Sequence, residues 1–277
     1  PLRDVYKRQT LNNVALGQSL TADHVLRFQD LIPQANYQLA TYALAELFTR
    51  KDEAEIAELR KAGQAIDAVH AQVPKLLQPG RTEAEVAQEL EELILQEHTV
   101  IDFVIVGSGP NGANPHHSFS DRVLAEGEPV VVDIGGTLPS GYHSDCTRTY
   151  VVGGDVSKAP QDFQDAYAVL ADAQAAARAA AHPGSTAAEI DAITRKAIAA
   201  AGWGDNFVHR TGHGIGLSTH EEPFIMEGND LTLEEGMAFS IEPGIYVEGK
   251  WGMRLEDIVV LTSDGYESLN LAPREVR

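Results

Sequence analysis

Four acidic residues fall into a paired pattern that could do metal chemistry. Asp133 is followed by Ile-Gly and Glu242 by Pro-Gly. A second acid follows each after a turn, Asp145 twelve residues on and Glu256 fourteen residues on. Asp145 leads into Thr147-Arg148-Thr149-Tyr150-Val151-Val152, and Glu256 into Asp257-Ile258-Val259-Val260-Leu261-Thr262. Each pair therefore reads as two neighbouring strands with an acid near one end. Packed around a pseudo-two-fold axis, the four carboxylates would converge. Bare carboxylates at close range repel strongly in a low-dielectric interior, so they must either stay protonated or hold cations. Two divalent ions would neutralise all four. An imidazole candidate is His213, within Arg210-Thr211-Gly212-His213-Gly214-Ile215-Gly216, where glycines let the backbone come close to a crowded site. Oxygen-rich ligands with one imidazole suit Mn, Co, Fe or Zn. A single acid at a strand end is ordinarily a cap or an ion-pair partner; the symmetric placement of four carries the metal reading.

The elements that must position these residues also repeat. Pro79-Gly80-Arg81-Thr82-Glu83-Ala84-Glu85-Val86 matches Pro183-Gly184-Ser185-Thr186-Ala187-Ala188-Glu189-Ile190 at an offset of 104 residues. In each copy a helical stretch precedes a Pro-Gly stop, and Thr-x-x-Glu then forms a capping box. The apolar spacing predicts one long helix from Lys51 to about Leu77, a second from Thr82 to about Gln96, an Ala-rich helix from Pro160 to about Ala181, and a fourth from Thr186 to about Ala201. Strands are predicted at 102–106, 129–133, 147–152, 237–242 and 255–262. Residues 10–50 carry one broken helical pattern around Pro33. The expectation is an α+β fold of two duplicated halves around an antiparallel sheet.

Composition narrows the function. The chain has 277 residues, 21 Lys+Arg and 41 Asp+Glu, for a formal net charge of −20. No basic cluster rises above this background, so nucleic-acid and anionic-membrane partners are not expected. No apolar run approaches the roughly 20 residues that span a bilayer. The single cysteine, Cys146, rules out an internal disulfide and is compatible with a cytoplasmic location. On a strand its side chain should point away from Asp145, so it reads as a small buried residue. The stretch Asp4-Val5-Tyr6-Lys7-Arg8-Gln9 resembles a translated transposon-end tag, and residues 1–9 are read as a non-native scar.

The motifs Asp133-Ile134-Gly135, Ser144-Asp145-Cys146-Thr147-Arg148-Thr149, Thr211-Gly212-His213-Gly214-Ile215-Gly216, His220-Glu221-Glu222-Pro223, Ile241-Glu242-Pro243-Gly244 and Arg254-Leu255-Glu256-Asp257 together resemble the pita-bread metallopeptidase superfamily. The resemblance covers about residues 51–277 and implies a pita-bread catalytic domain. It implies that Asp145 and Glu256 bridge two divalent metals, with Asp133 on one and His213 and Glu242 on the other. Mn is the first expectation, with Co, Zn or Fe as alternatives. It further implies a metal-bridging hydroxide as nucleophile, Glu242 as proton carrier, and His220 and His116 as catalytic, substrate-orienting groups. His116 is preferred to His117 because it directly follows Pro115; a plain surface histidine is the other reading. His209 and His143 lie near motifs and are read as structural.

Arg254-x-Glu256-Asp257 resembles prolidase and aminopeptidase P rather than methionine aminopeptidase. By that resemblance Arg254 binds substrate or shapes the site; an ion pair with a nearby acid is the alternative. Residues 10–50 resemble the remnant of the smaller N-terminal domain of that branch. The expected activity is hydrolysis of the bond before proline in proline-containing peptides, as a Xaa-Pro dipeptidase or aminopeptidase, and a homodimer is compatible with it. A metal-dependent lyase on the same fold, separable by a small-molecule lyase screen, and a non-catalytic interaction module, separable by elemental analysis, are the other readings.

Overall fold

The computed structural model describes residues 11–17 and 20–277. The reading of residues 1–9 as a scar lies outside them. The chain divides into two compact units between Phe48 and Thr49. In the first, β1 (Asn13–Leu16) and β2 (Asn36–Leu39) pair in parallel, with helix α1 (Ala22–Leu31) between them in sequence. Two short helices follow, α2 (Ala40–Ala43) and α3 (Ala45–Thr49). The broken helical pattern expected for residues 10–50 thus holds two strands as well. Their pairing is non-local, which helical periodicity does not register.

The second unit contains the repeat. Helix α4 (Glu53–His70) opens with a capping box in which Asp52 accepts from the Glu55 amide at 2.9 Å and Glu55 accepts from the Asp52 amide at 2.8 Å. It buries Leu59, Ala62, Ile66 and Val69, one face at helical spacing. The single helix expected to run to Leu77 stops at His70, and a separate turn, α5 (Val73–Leu76), follows. Pro74 is the physical reason: it has no N–H for the carbonyl four residues back, and its ring crowds that carbonyl. Helix α6 (Glu83–Ile94) precedes the antiparallel strands β3 (Val100–Ser108), β4 (Pro129–Thr137) and β5 (Cys146–Val151). The second half carries α7 (Gln161–Ala180), α8 (Ala187–Ala200), β6 (Gly212–Gly214), β7 (Glu221–Ile225), β8 (Ala238–Ile241), the hairpin β9 (Gly244–Val247) and β10 (Trp251–Arg254), then β11 (Asp257–Thr262) and β12 (Gly265–Ser268). The order in its five-stranded sheet is β12-β11-β8-β6-β7, antiparallel throughout.

The duplication extends to individual hydrogen bonds. Thr82 and Thr186 close the same capping box with Glu85 and Glu189. The Gly80 amide donates to Leu124 O and the Gly184 amide to Leu233 O, at 3.0 and 2.8 Å. Gly127 and Gly236, with φ of +79° and +85°, each turn the chain toward β4 or β8, a conformation that suits glycine. Their amides donate to Val152 O at 3.0 Å and Leu261 O at 2.9 Å. Each half has its own core, Val86, Leu90, Val132 and Ile134 in one, Ile190, Phe239, Ile241 and Val259 in the other. The fold is the duplicated α+β arrangement expected, with its antiparallel pairing divided among three sheets in the described residues.

The Thr186 cap gives a stability prediction. Thr186→Ala removes the acceptor for the Glu189 amide, 3.2 Å away, and is expected to cost about 1 kcal/mol. A melting curve should fall by about 2–4 °C; an unchanged midpoint would deny the cap its role.

Candidate metal centre

The two halves bring the four paired acids together. Asp133 lies on β4, Asp145 just before β5, Glu242 just after β8, and Glu256 between β10 and β11. Register explains the convergence. Asp133 stands opposite Thr147 on the neighbouring strand, and Thr147 Oγ1 donates to Glu256 Oε2 at 2.7 Å. The Glu256 amide donates to Thr147 O at 3.2 Å, so the two halves are joined at their acidic ends. His213, on β6, is held by its amide donating to Ser240 Oγ at 3.0 Å. Its Nε2 lies 3.2 Å from Glu242 Oε1 and 3.6 Å from Asp145 Oδ2.

Three overlapping groups have ligand atoms within 4.8 Å of one another: Asp133, Asp145 and Glu256; His213, Glu242 and Glu256; and Asp145, His213 and His220. All five residues expected as ligands fall in these groups. His220, expected on the substrate side, joins one of them, its ring centroid 4.2 Å from that of His213.

The electrostatics ask for a cation. Burial, and then the charges of Glu256, Asp133 and Glu242, push Asp145 well above the usual carboxylate range. Burial, then Glu242 and Asp133, does the same to Glu256. Burial also raises Asp133, against the pull of Arg254. Glu242 differs: burial would raise it, but the hydrogen bond and charge of His213 outweigh that and hold it at about 2. Two buried oxygens, Asp133 Oδ1 and Glu256 Oε1, have no hydrogen-bond partner among the described residues. Unpartnered buried carboxylate oxygens are costly, and on acids grouped with one another and with His213 they fit a divalent-metal donor set.

This repulsion has a measurable consequence. With their pKa values raised on folding, Asp145 and Glu256 hold protons in the folded chain that the unfolded chain has released. Their contribution to the stability of metal-free protein should therefore fall as pH rises from the ordinary carboxylate range toward their raised values. The gap between the denaturant midpoints of metal-loaded and chelator-treated protein should widen as pH rises above the ordinary carboxylate range of about 4. A gap that stays constant across that rise would contradict the repulsion.

Arg254 is buried and its donors are largely engaged. Nε donates to Thr147 Oγ1 at 3.0 Å, Nη1 to Tyr246 Oη at 2.8 Å and to Pro115 O at 3.3 Å, and Nη2 to Asp133 Oδ2. These bonds use four of the five guanidinium N–H groups. Tyr246 Oη also lies 2.8 Å from His209 Nε2. The line His209–Tyr246–Arg254–Asp133 therefore ends on an expected ligand. Sequence reasoning left His209 as structural and did not single out Tyr246; the only signals were proximity to His213 and Glu242.

His116 is exposed, and its amide donates to Asn114 Oδ1 at 3.1 Å. His117 turns away to Glu83, with Nε2 2.9 Å from Glu83 Oε2. His220 is lowered to about 4 by burial, then by the neighbouring His213 and Arg210, with a smaller contribution from His116. Cys146 is fully buried within the first core, as expected.

Comparison with known proteins bears on this site. The model of metallopeptidase family M24 matches residues 57–263, most of the chain and all five expected ligands. The chain belongs to metallopeptidase family M24. It is 55% identical over 263 residues to the "Probable dipeptidase PepE" of Mycobacterium tuberculosis, covering 95% of this chain and 69% of that protein. It is 40% identical over 264 residues to the Xaa-Pro dipeptidase of Lactobacillus delbrueckii subsp. lactis, covering 93% and 70%. Among solved structures, the prolidase from Pyrococcus horikoshii OT3 superposes with a TM-score of 0.91 at 31% identity, covering all of this chain and 79% of that one. This M24 chain therefore has the pita-bread fold and is a metallopeptidase.

Proposed function

We propose that the chain is a dinuclear Xaa-Pro dipeptidase, hydrolysing the bond before proline. The observation that carries the metal side is the convergence of four acids and His213, two of the acids with an unpartnered buried oxygen. The names of relatives at 40% identity over most of the chain support the substrate class. Asp133, Asp145, His213, Glu242 and Glu256 would hold the two ions. Manganese is the proposed metal, on the oxygen-rich donor set. Bound there, two such ions would lower the pKa of a water and polarise the scissile carbonyl.

The chain's own residues do the rest. The Glu242 side chain keeps 15% exposure, and a depressed pKa leaves it an ionised acceptor at neutral pH. It takes the proton of the attacking water and passes it to the leaving nitrogen. His220, uncharged at neutral pH, donates a hydrogen bond to the oxygen that gains charge. His116 orients the substrate from the opposite loop. Arg254 holds Asp133 and Tyr246 in place, and its remaining N–H is what it can offer a substrate carboxylate. We place the protein in the cytoplasm, in keeping with a free, buried Cys146; no helix among the described residues is long and apolar enough to cross a membrane.

The test is hydrolysis of a Xaa-Pro dipeptide, a Xaa-Pro-Xaa tripeptide and a Xaa-Ala dipeptide by metal-loaded protein. Cleavage of the first alone supports the dipeptidase. Preference for the tripeptide would make it an aminopeptidase, and cleavage of neither proline peptide would remove the proposal.

A further inference from the structure

His116 has no side-chain hydrogen bond among the described residues, so its position is set by the backbone that carries it. That backbone is the loop from Ser108 to Ser120. Both ends and the middle of the loop close on one buried carboxylate, Glu83, the first residue of α6. Glu83 Oε1 accepts from the Ser108 amide at 2.7 Å and from Ser108 Oγ at 2.6 Å. Glu83 Oε2 accepts from Ser120 Oγ at 2.7 Å and from His117 Nε2 at 2.9 Å. Asn111 Nδ2 lies 3.1 Å from both oxygens. The side chain is fully buried, and the helix N-terminus favours its charge.

The opposite side of the loop is fixed to the metal-bearing strands. A Cβ on Gly252 would fall 1.8 Å from Gly112 O, so the loop backbone lies directly on β10. From β10, Arg254 donates to Pro115 O. His116 therefore sits between Pro115, tied to Arg254 and through it to Asp133, and His117, tied to Glu83.

We propose that Glu83 is the positioning residue for His116, fixing the loop so that the imidazole meets the substrate in one place. The inference rests on the reading of His116 as a substrate-binding group. The chemistry calls for a carboxylate. Every group facing Glu83 is a donor, and a carboxylate offers acceptor sites alone. Glutamine of nearly the same volume would set its own N–H groups against those donors. Sequence reading registers Glu83 only as the residue after the Thr82 cap.

The experiment is a double-mutant cycle of Glu83→Gln and His116→Ala, reading kcat and KM on a Xaa-Pro dipeptide and metal content per chain. Glu83→Gln should lower kcat/KM by about tenfold to a hundredfold, with metal content unchanged. In the His116→Ala background it should add less than about twofold. If His116→Ala is costly and the two losses multiply in full, Glu83 serves stability alone and the proposal is overturned. If His116→Ala costs nothing, the reading of His116 fails and the positioning role goes with it. Should Glu83→Gln not fold, His117→Ala, which removes one donor and leaves the carboxylate, enters the same cycle with the same expectations.

Discussion

Glu242→Ala is expected to abolish turnover and weaken metal binding together. In the proposed function this residue has two duties that the other proposed ligands do not share. It lies 3.2 Å from His213 Nε2, so its loss opens the donor set around that imidazole. Of the four paired acids it is the one whose pKa is held down, to about 2, which leaves it an ionised acceptor at working pH. Losing the proton carrier alone removes about 10²–10⁴-fold in rate, and the weakened metal site adds to that. Rates at saturating metal, with elemental analysis of dialysed protein, should both fall. Full metal retention with full turnover would remove Glu242 from both roles.

His220→Ala should separate what Glu242→Ala combines. His220 keeps part of its surface open to solvent while its ring packs against His213, and its pKa near 4 leaves a neutral imidazole that can donate a hydrogen bond to a developing oxyanion. Removing one such donor costs about 10²–10³ in kcat, and metal content should stay at the wild-type value. The alternative is concrete, because His220 also lies within ligand distance of Asp145 and His213. Metal loss from His220→Ala equal to that from Glu242→Ala would make it a ligand rather than a substrate-facing group.

Much of this architecture is legible in the sequence because it is written twice. The Pro-Gly stops, the Thr82 and Thr186 caps and the paired acids recur, and the structure repeats them down to the Gly80 and Gly184 hydrogen bonds. What stayed hidden depends on non-local pairing. Strand β4 runs on through Gly135 and Gly136, which look like a turn, because β3 pairs with them. The β9–β10 hairpin is too short to show a period, yet it carries Tyr246 and Arg254 to Asp133. Pro74 ends α4 early although the apolar stripe continues past it. Glu83 is hidden for another reason: its donors come from residues 25 to 37 positions away, which no local pattern reports.

The most direct test of the account is a metal titration of chelator-stripped protein, following hydrolysis of a Xaa-Pro dipeptide. The stripped protein should show no activity. Activity should return with manganese and level off at two ions bound per chain, as the paired donor set requires. Full hydrolysis by stripped protein, or no hydrolysis with both ions bound, would contradict it.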